Sequence, residues 1–151
     1  MLQISDKAPE FDMMSDDGTQ VRLKDLKGKT VVLYFYPKDD TPGCTKEACA
    51  FRDDYSKLSK KSLLFGVSLD DMKAHQKFRK KYDLPFPLLV DDGARVSKKY
   101  GVYKKKSMYG RSFWGIERAT FIIGPAGRIQ AIFPRVKVDG HNLEVLEALK
   151  S

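Results

Sequence analysis

Both cysteines of the chain fall in one short stretch, YPKDDTPGCTKEAC at residues 36–49, with four residues between Cys44 and Cys49. The thiolate is the nucleophilic, redox-active form of cysteine, so any thiol chemistry of this protein belongs here. The apolar run TVVLYFY at 30–36 reads as a buried strand ended by Pro37, and Ala48, Phe51, Tyr55 and Leu58 recur at helical spacing over 45–60. Cys44 therefore stands where a strand ends and a helix begins. Free N–H groups and the positive end of the helix dipole stabilise a thiolate at such a junction, which makes Cys44 the candidate nucleophile. Cys49 lies a turn and a half further in, outside that field, and is the less reactive partner.

The spacing carries its own consequence. Helical residues five apart have Cα atoms about 8.6 Å from one another, whereas the C-x-x-C spacing gives about 5 Å. A disulfide tolerates at most about 7 Å, so Cys44 and Cys49 cannot bond while the helix is intact. Attack by Cys44 and bonding to Cys49 are thus separate events, with room between them for an oxidised thiol such as a sulfenic acid. Thr41 can offer a hydroxyl beside the sulfur, and Pro37 and Pro42 wall off water without adding donors.

The elements that must position this junction read as a βα succession. A second apolar run at 63–69 is a buried strand, and 71–82 a helix with Met72, Phe78 and Tyr82 inward; 88–90 is a third strand and 94–100 a short helix. Two runs at 119–123 and 128–133 flank Gly124-Pro125-Ala126-Gly127 as a hairpin, and a helix covers 141–150. Asp17-Gly18 suggests a further hairpin within 12–23. Together these give an α/β fold, a central mixed sheet with helices on both faces and an N-terminal β-hairpin, in a single domain over 1–151.

Pro37, Thr41 and Cys44 match the P-x-x-x-T-x-x-C signature of peroxiredoxins, and TPGCTKEAC with Cys49 resembles the bacterioferritin comigratory protein group, also called PrxQ. The resemblance extends through APEF at 8–11, GVSLD at 66–70, LPFPLL at 84–89 and RATFIIGPAGRI at 118–129. It implies a thioredoxin-like fold and a thiol peroxidase of antioxidant defence. Cys44 would be peroxidatic, Cys49 resolving, Thr41 and Pro37 shaping the site, and Arg118 supplying a guanidinium. It further implies a monomer reduced by thioredoxin or a similar dithiol, with no metal or organic cofactor. Arg118 comes from the resemblance alone, since nothing in its spacing links it to Cys44. A permanently charged fork beside the sulfur would favour the thiolate and bind a peroxide oxygen. Asp39-Asp40 brings negative charge close to the same sulfur, an effect that solvent screens if both carboxylates point outward.

Other chemistries find less support. A disulfide reductase of the same fold would carry C-x-x-C and, by family resemblance, a proline where this chain has Ala119. His75 and His141 lack ligand spacing to each other or to the cysteines and read as ordinary helix residues. No phosphate loop is present. The formal net charge of +8 raises a nucleic-acid reading, but Lys60-Lys61, Arg79-Lys80-Lys81 and Lys104-Lys105-Lys106 are scattered and read as solvated faces. With 42% hydrophobic and 32% charged residues, no apolar run approaches the roughly 18 of a membrane span, and the start lacks a signal-peptide layout. The expected compartment is the cytoplasm, where a reducing environment keeps a cysteine pair as thiols for catalysis, redox sensing or metal binding rather than for structure.

Overall fold

The computed structural model describes residues 1–150; the expected domain runs one residue further, to Ser151, which lies outside the described residues. In chain order the strands are β1 (Asp12–Ser15), β2 (Gln20–Arg22), β3 (Val31–Phe35), β4 (Leu63–Ser68), β5 (Leu88–Val90), β6 (Tyr103–Met108), β7 (Arg111–Ile116), β8 (Ala119–Ile123) and β9 (Ile129–Phe133). The helices are α1 (Pro42–Asp53), α2 (Tyr55–Leu58), α3 (Met72–Lys81), α4 (Arg95–Lys99) and α5 (His141–Leu149). Among the described residues no helix is long and apolar enough to cross a membrane.

Seven of these strands form one mixed sheet in the order β2-β1-β5-β4-β3-β8-β9. β3, β4 and β5 run parallel; β8 pairs antiparallel with β3, and β9 and the β1–β2 hairpin complete the two sides. β3 is central and wholly buried, so its residues alternate between two apolar layers. Val31, Leu33 and Phe35 pack with Val96 and Tyr100 at α4, while Val32, Tyr34 and Tyr36 pack with Ala48 and Phe51 of α1, Phe78 of α3 and Val145 of α5. The expected sheet with helices on both faces is present. Gly66 of β4 lies opposite Tyr34, and a Cβ there would come within 2.9 Å of the Tyr34 ring, so only glycine leaves room for it.

Three expectations change. The helix at 45–60 begins earlier, at Pro42, and breaks at Asp54 into α1 and α2. In α3, Met72 is only half-buried and His75 takes the inward place beside Phe78. The lysine-rich stretch and the segment 108–114, to which the sequence assigns no strand, form an antiparallel hairpin of β6 and β7. Tyr109 and Gly110 turn it with φ of 52° and 75°, the paired positive angles of a tight hairpin turn.

Candidate active site

Cys44 is the third residue of α1 and only 2% exposed. Thr41 precedes the helix in extended conformation, and Pro42 occupies the first helical position, where a missing N–H costs nothing. The next N–H groups of the turn have no intrahelical acceptor, so the positive end of α1 is directed at the sulfur. Cys49 lies in the same unbroken helix, half-buried on another side, and both thiols are free. The separation inferred from spacing therefore holds in the folded chain.

The Arg118 side chain reaches this turn from the opposite side of β3. The register pairs Phe35 with Ala119, so Arg118 sits one residue before the start of β8, level with the point where the chain leaves β3 for the loop that leads into α1. Its Nη2 donates to Cys44 Sγ at 3.4 Å and its Nη1 to Glu47 Oε1 at 2.6 Å. Gly43 makes room for it: a Cβ there would stand 3.2 Å from Nη2. Pro37 is half-buried at the loop entrance. Thr41 Oγ1 donates to Lys38 O at 2.8 Å, so its proton is engaged with backbone and its lone pairs remain to accept.

Glu47 was not singled out in the sequence. It is 2% exposed, one turn after Cys44 on the same helix face. Burial pushes its carboxyl up to about 7, against the opposing pull of Arg118, and its Oε2 has no hydrogen-bond partner. The unpartnered oxygen favours the neutral form. Beneath it, burial and then the Glu47 and Cys44 charges hold the Tyr34 phenol well above its ordinary value. Burial and then Arg118 keep the Lys106 ammonium of β6 below its ordinary value.

The two carboxylates of the loop part ways. Asp40 does face outward, accepting from Lys81 Nζ at 2.8 Å and the Tyr82 hydroxyl at 2.9 Å. Asp39 turns inward: Tyr36 donates to its Oδ1 at 2.5 Å, and His75 Nδ1 lies 2.6 Å from its Oδ2. His75 and His141 do lie on helices, α3 and α5, but at 0% and 1% exposure both are buried in hydrogen-bond networks. Burial opposes charging of His75, but the hydrogen bond and charge of Asp39 outweigh it and raise its pKa. For His141, which contacts Thr120 Oγ1 at 2.7 Å, burial wins and lowers the pKa. Asp39, Asp70 and His75 converge within 4.8 Å, yet both nitrogens of His75 already face acceptors, Asp39 and the Leu89 carbonyl. That is a hydrogen-bonded cluster rather than an open set of cation ligands.

The AhpC/TSA family model matches residues 4–132. The chain belongs to that family. Within it, a Coxiella burnetii relative named for the bcp peroxiredoxins is 53% identical over 98% of this chain and 99% of its own. Peroxiredoxin Bcp of Bacillus subtilis is 45% identical over 99% and 96%. Among solved structures, Xanthomonas campestris bacterioferritin comigratory protein, described for its alkyl peroxide reduction activity, superposes with a TM-score of 0.88 at 39% identity, over 93% of this chain and 90% of that one. The Bcp/PrxQ resemblance and the thioredoxin-like fold thus stand, and the chain is a peroxiredoxin, a thiol peroxidase. The geometry joins Arg118, Cys44 and Glu47 on the first turn of α1, with Thr41 at its N-cap and Pro37 at the start of the loop before it, and leaves Cys49 further along the helix.

Proposed function

We propose that the chain works as one peroxiredoxin domain in which Cys44 reduces hydrogen peroxide and organic hydroperoxides and Cys49 resolves the product. The observation that carries this is the Arg118 guanidinium 3.4 Å from a buried sulfur at the N-terminus of α1. Two positive fields meet there, and the protonated form of Glu47 leaves the guanidinium charge to the sulfur. The thiolate attacks one peroxide oxygen; the S–O bond forms, the O–O bond breaks, and the leaving alkoxide or hydroxide takes up a proton. Arg118 stabilises that developing charge, and the free lone pairs of Thr41 accept the peroxide O–H. Opening of the first turn of α1 then lets Cys49 attack the sulfenic sulfur as its thiolate, forming the disulfide and expelling hydroxide, which takes up the proton the thiol gave up and leaves as water. An external dithiol, thioredoxin by our reading, reduces it by exchange. We place this cycle in a cytoplasmic monomer without metal or organic cofactor and without nucleic-acid or membrane partners.

Mass spectrometry after one equivalent of peroxide tests the scheme. A loss of two hydrogens mapping to a Cys44–Cys49 link is expected, and Cys49→Ser should consume one equivalent and then stall with the dithiol. Wild-type peroxidase activity in Cys44→Ser, or undiminished turnover in Cys49→Ser, would remove that residue from its role.

A further inference from the structure

We infer that His75 is a positioning residue for the peroxide step: paired with Asp39, it clamps the loop before Cys44 onto α3 and β5 and forms the fixed end against which α1 opens. The inference rests on the assignment of Cys44 and Cys49 above. Asp39 lies in the loop that carries Pro37 and Thr41 and leads into the helix turn of Cys44. It is engaged on every side: Tyr36 and His75 bind its two oxygens, and its own N–H donates to Asp70 Oδ2 at 2.9 Å. Asp70 in turn accepts from Ser68 Oγ at 2.6 Å, at the end of β4. His75, fully buried, spans from this loop to the Leu89 carbonyl of β5 at 2.9 Å. A carbonyl can only accept, so Nε2 carries a proton, and against a carboxylate Nδ1 carries one too. The ring thus joins two backbone segments through one side chain, with a proton held between Nδ1 and Asp39.

A buried ion pair is weak evidence for stability, because desolvation offsets the attraction. What it does supply is fixed geometry, and here the fixed point lies just ahead of the reacting turn. The next residue, Asp40, has φ of 56° and is tied to Lys81 and Tyr82, so α3 holds the loop at two adjacent residues. Beyond Asp40 the ties weaken. Thr41 bonds only the nearby Lys38 carbonyl through its side chain, Pro42 is exposed, and Gly43 has no side chain to anchor. On the far side, Ala48 and Phe51 are locked in the core at 1% and 0% exposure. The backbone change that brings Cys44 to Cys49 is thereby confined between Thr41 and Ala48.

Single-turnover kinetics separate the two steps. Sulfenic acid formation is followed in a Cys49→Ser background, and disulfide formation in the two-cysteine chain. His75→Gln, which cannot bridge both acceptors, and the near-isosteric Asp39→Asn are each expected to slow sulfenic acid formation about tenfold while disulfide formation is not slowed. His75→Ala should slow it further than His75→Gln, which keeps one donor. An unchanged peroxide step in both variants, or equal slowing of both steps in parallel with lost thermal stability, would overturn the inference. Hydrogen exchange on the wild type needs no substitution: in the disulfide form the Asp39 amide should stay protected while the amides of 45–47, the first bonded within α1, lose protection. Exchange at Asp39 as fast as at 45–47 would overturn it. A wild-type Cys44 that peroxide leaves unmodified would bring down the cysteine assignment itself, and the inference with it.

Discussion

The two halves of α1 are held to the molecule by different forces. Its first turn is fastened by charge: Arg118 bonds Cys44 and Glu47, and Lys46 pairs with Asp139 at the surface. Its second half is fastened by burial: Phe51 lies 4.8 Å from the Tyr34 ring and 5.8 Å from that of His141, between centroids, and Ala48 is enclosed beside it. Apolar contact does not depend on the oxidation state of a sulfur. The Arg118 contact does, since a sulfenic acid carries no full charge to bind a guanidinium. A helix that must keep its place yet open one turn after reaction is therefore built with its redox-sensitive fastening at the end that opens.

Two substitutions set that contrast at its widest. Phe51→Ala is expected to cost about 3–5 kcal/mol in urea unfolding, the range for deleting a buried aromatic ring, with the peroxide rate of the remaining folded protein little changed. Arg118→Lys should do the reverse. A lysine offers one point charge where the guanidinium serves two acceptors, so the rate constant for sulfenic acid formation should fall about a hundredfold, with a small change in stability. Comparable destabilisation by both would show that the halves of α1 are not held differently.

The same division explains what could be read before the structure was seen. Strands betrayed themselves by apolar runs, and 88–90 and 119–123 match β5 and β8 residue for residue. Cys44, Cys49, Thr41 and Pro37 were legible because one loop and one helix hold them in local order. Arg118 was not, because its place depends on the pairing of β3 with β8, which no spacing encodes; family resemblance alone pointed to it. Glu47 carried a usable signal, three residues after Cys44 on the face that also holds Ala48 and Phe51, but a glutamate in a helix ordinarily faces water. His75 was hidden by the same prior, and its inward position at helical spacing from Phe78 was the missed cue. The β6–β7 hairpin was invisible for the opposite reason: Lys104, Lys105 and Lys106 give no apolar alternation, and only Tyr109-Gly110 marked its turn.

Glu47 sharpens the contrast through pH. Its carboxyl titrates near 7 in the fold against an ordinary value of 4.5, so between those values the folded chain holds a proton that the unfolded chain has released. Stability contributed by neutral Glu47 is then present in full below about 4.5 and is lost as pH rises towards about 7. Glu47→Gln keeps the shape and an oxygen acceptor for Arg118 but cannot titrate. The stability difference between Glu47→Gln and wild type should grow in favour of the variant across this window in urea titrations. A difference independent of pH would mean that Arg118 keeps Glu47 ionised throughout, and that its charge is shared rather than left to Cys44.

The smallest effect is expected at Gly43, where both halves of the contrast act on one atom. Its φ lies in the ordinary range, so alanine is tolerated by the backbone and should add about 0.4–1 kcal/mol by restricting the unfolded chain. The new Cβ would stand 3.2 Å from Arg118 Nη2, close enough that the guanidinium must give way by a few tenths of an ångström. That guanidinium is held between Glu47 and Cys44, so the displacement is taken from the bond to sulfur or the bond to carboxylate. Gly43→Ala should therefore raise the melting temperature slightly while lowering the peroxide rate constant about threefold. A rate at or above wild type would show that Arg118 shifts without consequence, and that the charge-held turn tolerates looseness that the packed half of α1 does not.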